Sequence, residues 1–364
     1  MAAKDKSIYE LFTIKSNDGS KTIDLRGAIV AFSYFENVFS PMLTAQIIVA
    51  TTGNVITDED GDKTSIYNGL PLRGGEKVSI KIPANSGNNV DLEFTEEKGN
   101  ELYVGSITNI SIKAEKELFT LNLVSREAIT NETQRVGKKF PVTEPISDSV
   151  KEIIKEYLLS EKEVDVDDTQ NPYGFIGNLK KPFTIITWLA AKSVPGNVGG
   201  ESATAGYFFF ETKEGYHFRS IDSLIAQPPY EIEYTYSPSV VDNQDPDADF
   251  KILSYETTYN QNLIQNLERG AYCSYRMFYN PYSMSFTTPE QGLFQVSKSA
   301  EKMENLGKDF EVFLPPVDKE NKSLAEVPSR MITGVLDFGT LERKGSRQNK
   351  KNADPMEYIS QSMM

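Results

Sequence analysis

From Tyr9 to Ser125 apolar and polar residues alternate with a period of two. Thr22 to Phe39, Leu43 to Thr51, Glu76 to Ile82, Val90 to Phe94, Leu102 to Ala114 and Leu118 to Val124 are rich in β-branched and aromatic types. That period predicts strands, because successive side chains of an extended chain point to opposite faces. Ile80-Lys81-Ile82 and Thr120-Leu121-Asn122-Leu123 carry it most cleanly. Five or six strands in one block predict a small closed or half-closed barrel. Asp58-Glu59-Asp60-Gly61-Asp62 and Arg73-Gly74-Gly75 read as turns or surface loops between them.

After Ser125 the period changes. Ser149 and Glu152 have the spacing of a capping box, and Val150, Ile153, Ile154, Tyr157 and Leu158 fall on one helical face. A second helix is expected after Pro182, with Ile185, Ile186, Leu189 and Ala190 on its apolar side. Val164 to Gly177 reads as an acidic connection, and Pro195 to Ala205 as a Gly-, Ser- and Asn-rich loop. The clearest signature is the aromatic hairpin from Gly206 to Leu224. Its two runs, Tyr207 to Thr212 and Tyr216 to Ser220, meet at a short turn, Lys213-Glu214-Gly215. Strand character returns at Phe250 to Tyr259, Ala271 to Tyr279 and Met331 to Phe338, with Asn262 to Arg269 as a turn or helical corner. Ser33-Tyr34 and Ser254-Tyr255 each end a strand before an Asn-bearing corner, a loose hint of a repeated barrel. Arg343 to Lys351 forms a basic loop, and Asp354-Pro355 opens a helix whose apolar face is uncovered when the sequence stops at Met364.

Composition narrows the function. The 364 residues are 39% hydrophobic and 11% aromatic, enough for real cores and for two or three domains. Lys and Arg number 38 against 52 Asp and Glu, a net charge of −14. Such a chain repels a phosphate backbone, so sequence-specific nucleic-acid binding is disfavoured. The single cysteine, Cys273, permits no intrachain disulfide, and its apolar, aromatic setting reads as a buried strand thiol rather than a nucleophile. No run approaches the ~20 apolar residues of a transmembrane helix, and the amino terminus has no signal-peptide core. The protein is expected to be made in a cytoplasm.

The chemical inventory is nearly empty. His217 is the one histidine, so a multi-histidine metal site is excluded and any triad would depend on it. Alternation sets it opposite Tyr216 and Phe218, which favours packing over catalysis. Asp58, Asp60 and Asp62 have the spacing of a calcium loop, but Lys63 and Gly69 stand where that loop needs Gly and Glu. They read as a solvated turn, as does the group Asp245, Asp247 and Asp249. Ser299 and Lys302 form a Ser-x-x-Lys without its companion motifs. There is no phosphate-binding glycine loop. No catalytic, cofactor-binding or metal-ligating residue is assigned, and no cofactor is expected.

One resemblance joins these parts. Trp188-Leu189-Ala190-Ala191-Lys192-Ser193, Gly206-Tyr207-Phe208-Phe209-Phe210-Glu211 and Gly215-Tyr216-His217-Phe218 carry it, supported by Ile66 to Glu76 and Leu123 to Glu132. In this order the chain resembles the central hub protein of contractile-tailed phage baseplates, of the late-control D and VgrG amino-terminal superfamily, in the branch of cyanophage-like myoviruses. The resemblance implies a mainly β fold with two small tube-like barrels around an α+β middle domain. Residues 1–127 would form the first barrel, 128–228 the middle domain and 229–364 a second barrel, incomplete at its carboxyl end.

It also implies a non-enzymatic structural subunit of the virion tail baseplate, assembled in the host cytoplasm as a homotrimeric, pseudo-sixfold ring. The implied partners are a second copy of the chain, the central spike protein, the tail tube or its initiator and other baseplate proteins, with DNA passing an acidic bore. Three other readings remain open: the spike base of a bacterial contractile injection or secretion system, a virion protein that binds glycans or receptors, and a tail-associated hydrolase.

Overall fold

The structure is a computed structural model that describes residues 8–52, 56–57, 63–84, 90–113, 116–196, 206–225, 227–228, 234–236, 251–252, 254–256, 262–270, 272–280, 284–286, 293–295, 323 and 326–335. The chain divides into two units. One holds Met1–Val166, Gly174–Ala190 and Phe208–Arg219; the other holds Asp167–Tyr173, Ala191–Tyr207 and Ser220–Met364.

In the first unit the period of two becomes a curled sheet. Its strands are β1 (Leu11–Lys15), β2 (Thr22–Asp24), β3 (Ile29–Phe35) and β4 (Thr44–Thr51). A short pair follows, β5 (Ile56–Thr57) and β6 (Lys63–Thr64), then helix α1 (Ile66–Gly69). Next come β7 (Lys77–Ile82), β8 (Leu92–Phe94), β9 (Leu102–Lys113) and β10 (Lys116–Ser125). The large sheet runs β2-β1-β7-β9-β10-β4-β3, with β8 beside β7, and every ladder in it is antiparallel. Phe12, Ile14, Ile47, Val49, Val78, Ile80, Phe119 and Leu121 alternate inward and lose all solvent contact. Burying a side chain of this size stabilises by roughly 1.5 to 3 kcal/mol. Phe12 of β1 meets Phe32 of β3 edge to face at 5.6 Å, so the sheet curls into a half-barrel. The expected mainly β class is what the structure shows. Thr22 to Phe39 is two strands rather than one, because the chain turns at Leu25, whose carbonyl accepts from the Ala28 N–H.

The same unit continues through α2 (Arg126–Thr133), β11 (Lys139–Phe140), α3 (Ile146–Glu156), β12 (Glu163–Val166), β13 (Phe175–Ile176), α4 (Pro182–Ala190), β14 (Tyr207–Glu211) and β15 (Gly215–Ser220). Helix α3 begins a turn before the expected capping box. Pro145 stands at its cap and Ser149 is already inside, its N–H donating to the Pro145 carbonyl. Proline's fixed φ suits a helix entry, and the buried Ile146 draws the first turn into the core. The aromatic hairpin forms as read, closed at Lys213-Glu214 by paired backbone bonds between Thr212 and Gly215.

The expected connection from Val164 to Gly177 holds two strands. β13 pairs with β11, and β12 adds to the hairpin in the order β12-β15-β14, parallel to β15. Gly215, at φ +151°, makes that addition possible: a Cβ there would sit 2.1 Å from the Glu163 carbonyl oxygen.

The second unit contains α5 (Ile221–Ile225), β16 (Thr235–Tyr236), β17 (Lys251–Ile252), α6 (Leu263–Arg269), β18 (Cys273–Asn280), β19 (Ser285–Phe286), β20 (Leu293–Gln295) and β21 (Arg330–Val335). β18 is its central strand, flanked by β19 and β20 and paired in parallel with β21. The corner at Asn262 to Arg269 is a capped helix: the Asn262 side chain accepts from the Gln265 N–H at 3.1 Å, and Gly270 ends it in the left-handed region. Of Phe250 to Tyr259, only Lys251–Ile252 is strand among the described residues. The helix expected after Asp354, with the closure of a second barrel that depends on it, lies outside the described residues.

Candidate functional site

Of the residues singled out for chemistry, Cys273 and His217 lie among the described residues. Asp58, Asp60, Asp62, Asp245, Asp247, Asp249, Ser299 and Lys302 lie outside the described residues. Cys273 opens β18 fully buried, and burial pushes its thiol pKa up, away from reactivity. His217 on β15 has company. Its Nε2 lies 2.9 Å from the Thr212 hydroxyl and its Nδ1 3.4 Å from the Asp165 carboxylate of β12. The connectivity is that of an Asp-His-hydroxyl relay. However, the Thr212 oxygen also accepts from the Glu214 N–H of the turn, Asp165 is shared with Arg219 at 3.1 Å, and the imidazole stacks on Phe210. Each bond thus has a structural task, fastening β12 to the hairpin. No local pattern marks Asp165, because the parallel addition of β12 that sets it beside His217 is a tertiary contact.

A second polar group lies deeper. Glu127, Lys162 and Glu211 form a buried chain, with the Lys162 ammonium 2.7 Å from Glu127 and 2.6 Å from Glu211; both glutamates are 1% exposed. Glu211 also accepts from the Ser125 hydroxyl at 2.7 Å and the Leu43 N–H at 2.9 Å, and Glu127 from Ser160 at 2.8 Å. Burial raises the Glu211 pKa more than its donors lower it, whereas at Glu127 burial is outweighed by Lys162 and Ser160 and the net shift is downward. Lys162 is raised despite its own burial, since two carboxylates face it. The signal was present at one partner. Alternation puts Glu211 on the buried face with Tyr207 and Phe209, and a buried acid calls for a cation.

The most exposed feature of the unit is its sheet edges. β9, β10, β4 and β3 form a continuous antiparallel run. β3 has β4 as its sole ladder partner among the described residues, and β9 meets β7 only at Leu102 and Tyr103. The stretch 105–113 therefore presents an unpaired backbone edge, with Ile110 and Ile112 exposed, and β3 presents another, with Val30 and Phe35 exposed. No helix is long and apolar enough to cross a membrane, and no cluster of metal-binding side chains occurs among the described residues.

A mainly β protein with a half-barrel open at both edges is the class this geometry defines. No family model matches the chain, and no curated protein matches it in sequence. Its structural neighbours are phage tail proteins and a bacterial secretion component. A 43 kDa tail protein of prophage MuSo2 from Shewanella oneidensis is 10% identical at a TM-score of 0.37, over 57% of this chain and 54% of that one. A tail protein from Neisseria meningitidis is 9% identical at 0.44, over 89% and 71%. A type VI secretion component of Escherichia coli, described as similar in structure to phage T4 tail proteins gp27 and gp5, is 7% identical at 0.30, over 58% and 46%. The chain thus spans about half the length of the first and third of these proteins.

Proposed function

We propose that the chain is a structural subunit of a phage tail baseplate hub, built as a homotrimeric ring between tail tube and central spike. Residues 1–127 and 229–364 are its barrels and 128–228 the middle domain. One observation carries this reading: among the described residues, β3 at one end of the run β9-β10-β4-β3 and residues 105–113 of β9 at the other have no second ladder partner. Long unpaired edges are a liability in a monomer and a resource in an assembly. The run has an even number of antiparallel strands, so β3 and β9 point in opposite directions. Copies related by rotation thus bring β3 of one beside β9 of the next with the ladder's antiparallel sense unbroken, a head-to-tail contact that closes into a ring.

Light scattering on the full chain tests the proposal. A trimer is expected. Ile110→Lys with Ile112→Lys, which places charges on two exposed side chains of the free edge and reads out edge pairing, is expected to give monomer with unchanged circular dichroism. A wild-type chain that is monomeric at every concentration and in the presence of spike and tube partners overturns the reading.

A further inference from the structure

The ribbon of β11 and β13 carries a feature that neither the core nor the edges explain. Past β13, Asn178 and Leu179 both have left-handed backbones, φ +49° and +56°, and the Lys180 N–H closes the turn on the Gly177 carbonyl at 3.0 Å. This is the turn type that favours glycine at its second central position, yet the chain places a leucine there and leaves it 68% exposed. Strain of this kind, unsupported by burial, is a pointer to use. The ribbon register sets Lys139 opposite Ile176, also exposed, and Val136 opposite Lys180. Lys138 and Lys181 flank them, already engaged with Glu152 and Glu132. Lys139 and Lys180 are exposed and have no ion pair among the described residues. In a chain of net charge −14, this is a basic knob with an apolar tip.

The complementary surface is on the same unit. A hollow of about 170 Å³ is lined by Glu163, Asp165, Glu214, Gly215, Tyr216 and His217. Asp165 is neutralised by Arg219, while Glu163 and Glu214 are exposed and without an ion pair among the described residues. Two unpaired lysines at the knob thus match two unpaired glutamates at the hollow.

We infer that the Asn178-Leu179 turn with Lys139 and Lys180 docks into the Glu163 and Glu214 hollow of a second copy of this chain. Knob and hollow are different patches, so the contact is head to tail, as a ring requires. It offsets the repulsion between like-charged copies at the point of closest approach and fixes register between them. The inference rests on the proposed ring and names a contact beside the strand edges.

Charge reversal in the full chain tests it, read by sedimentation velocity at 50 mM and 500 mM salt. Lys139→Glu with Lys180→Glu, and separately Glu163→Lys with Glu214→Lys, are each expected to weaken self-association tenfold or more at low salt. The chain carrying all four reversals is expected to regain it, since the charges are then exchanged across the contact. All four positions are exposed, and circular dichroism confirms folding. The neutral pair Lys139→Gln with Lys180→Gln should give a smaller loss and a flatter salt dependence. Reversed chains that associate like wild type overturn the contact while leaving the ring standing, since the Ile110→Lys, Ile112→Lys edge variant reports on the strand edges alone. A fourfold variant that folds but does not regain association also overturns it. So does binding of the wild type to phosphatidylserine vesicles that the lysine reversals abolish while self-association is unchanged, which assigns the knob to a lipid surface. A wild type that never associates removes both readings.

Discussion

Lys162 shows how a single buried cation governs its surroundings. Its two glutamates are 1% exposed, and among the described residues the ammonium is the one cation that bonds both, Arg126 reaching Glu127 alone at 3.5 Å. Removing one partner of a buried ionic group typically costs about 3 to 5 kcal/mol, because the remaining charges are left uncompensated. Lys162→Met is expected to lower the thermal midpoint by about 10 °C, at roughly 2 to 4 °C per kcal/mol in a domain of this size. The sign of its pH dependence follows from the carboxylates. Without the cation, burial holds the folded-state pKa of Glu211 still further above its unfolded value, so stability is retained at low pH and lost as pH rises through the raised value. The deficit relative to wild type should therefore be smaller at pH 5 than at pH 8, which thermal melts at the two pH values will read. At this scale the sequence was half legible. Alternation exposes Glu211 as an acid on an apolar face, but Lys162 stands 49 residues earlier in a stretch with no periodic signal.

At the scale of elements, local pattern did well where burial was one-sided. The strands of the half-barrel, the hairpin and α4 follow from periods of two and 3.6 because each hides one face. It failed where tertiary contact decided. β12 pairs with a strand dozens of residues away in parallel, a register set by Gly215 rather than by anything near Glu163. α2 carries no apolar stripe, because its buried anchors, Glu127 and Asn131, are polar. The edge of β9 also yields a prediction. The ladder with β10 leaves alternate amides of 105–113 facing away from it, and those should exchange hydrogen within seconds to minutes in dilute monomer. In the assembled state they should gain protection of tenfold or more, measured by hydrogen exchange at two protein concentrations. Equal exchange at both would argue that the edge stays open to solvent.

For the whole molecule, charge is the property most directly readable from sequence. At −14 the chain should show no retention on duplex DNA at about 0.15 M salt in a filter-binding assay, since its 52 carboxylates outnumber its 38 cations and repel the phosphates. Salt-resistant DNA binding would contradict that. Open edges, in contrast, are properties of a sheet order that no single segment encodes. The buried carboxylate of Glu211 has one more consequence, a mechanical one. It joins Leu43, Ser125 and Lys162, across separations of 168, 86 and 49 residues, at a single point. A pull between residues 43 and 211 in an optical trap therefore loads three short, charge-assisted bonds at once, and the fibre of chain between them should give way in one abrupt step rather than in a series of small ones.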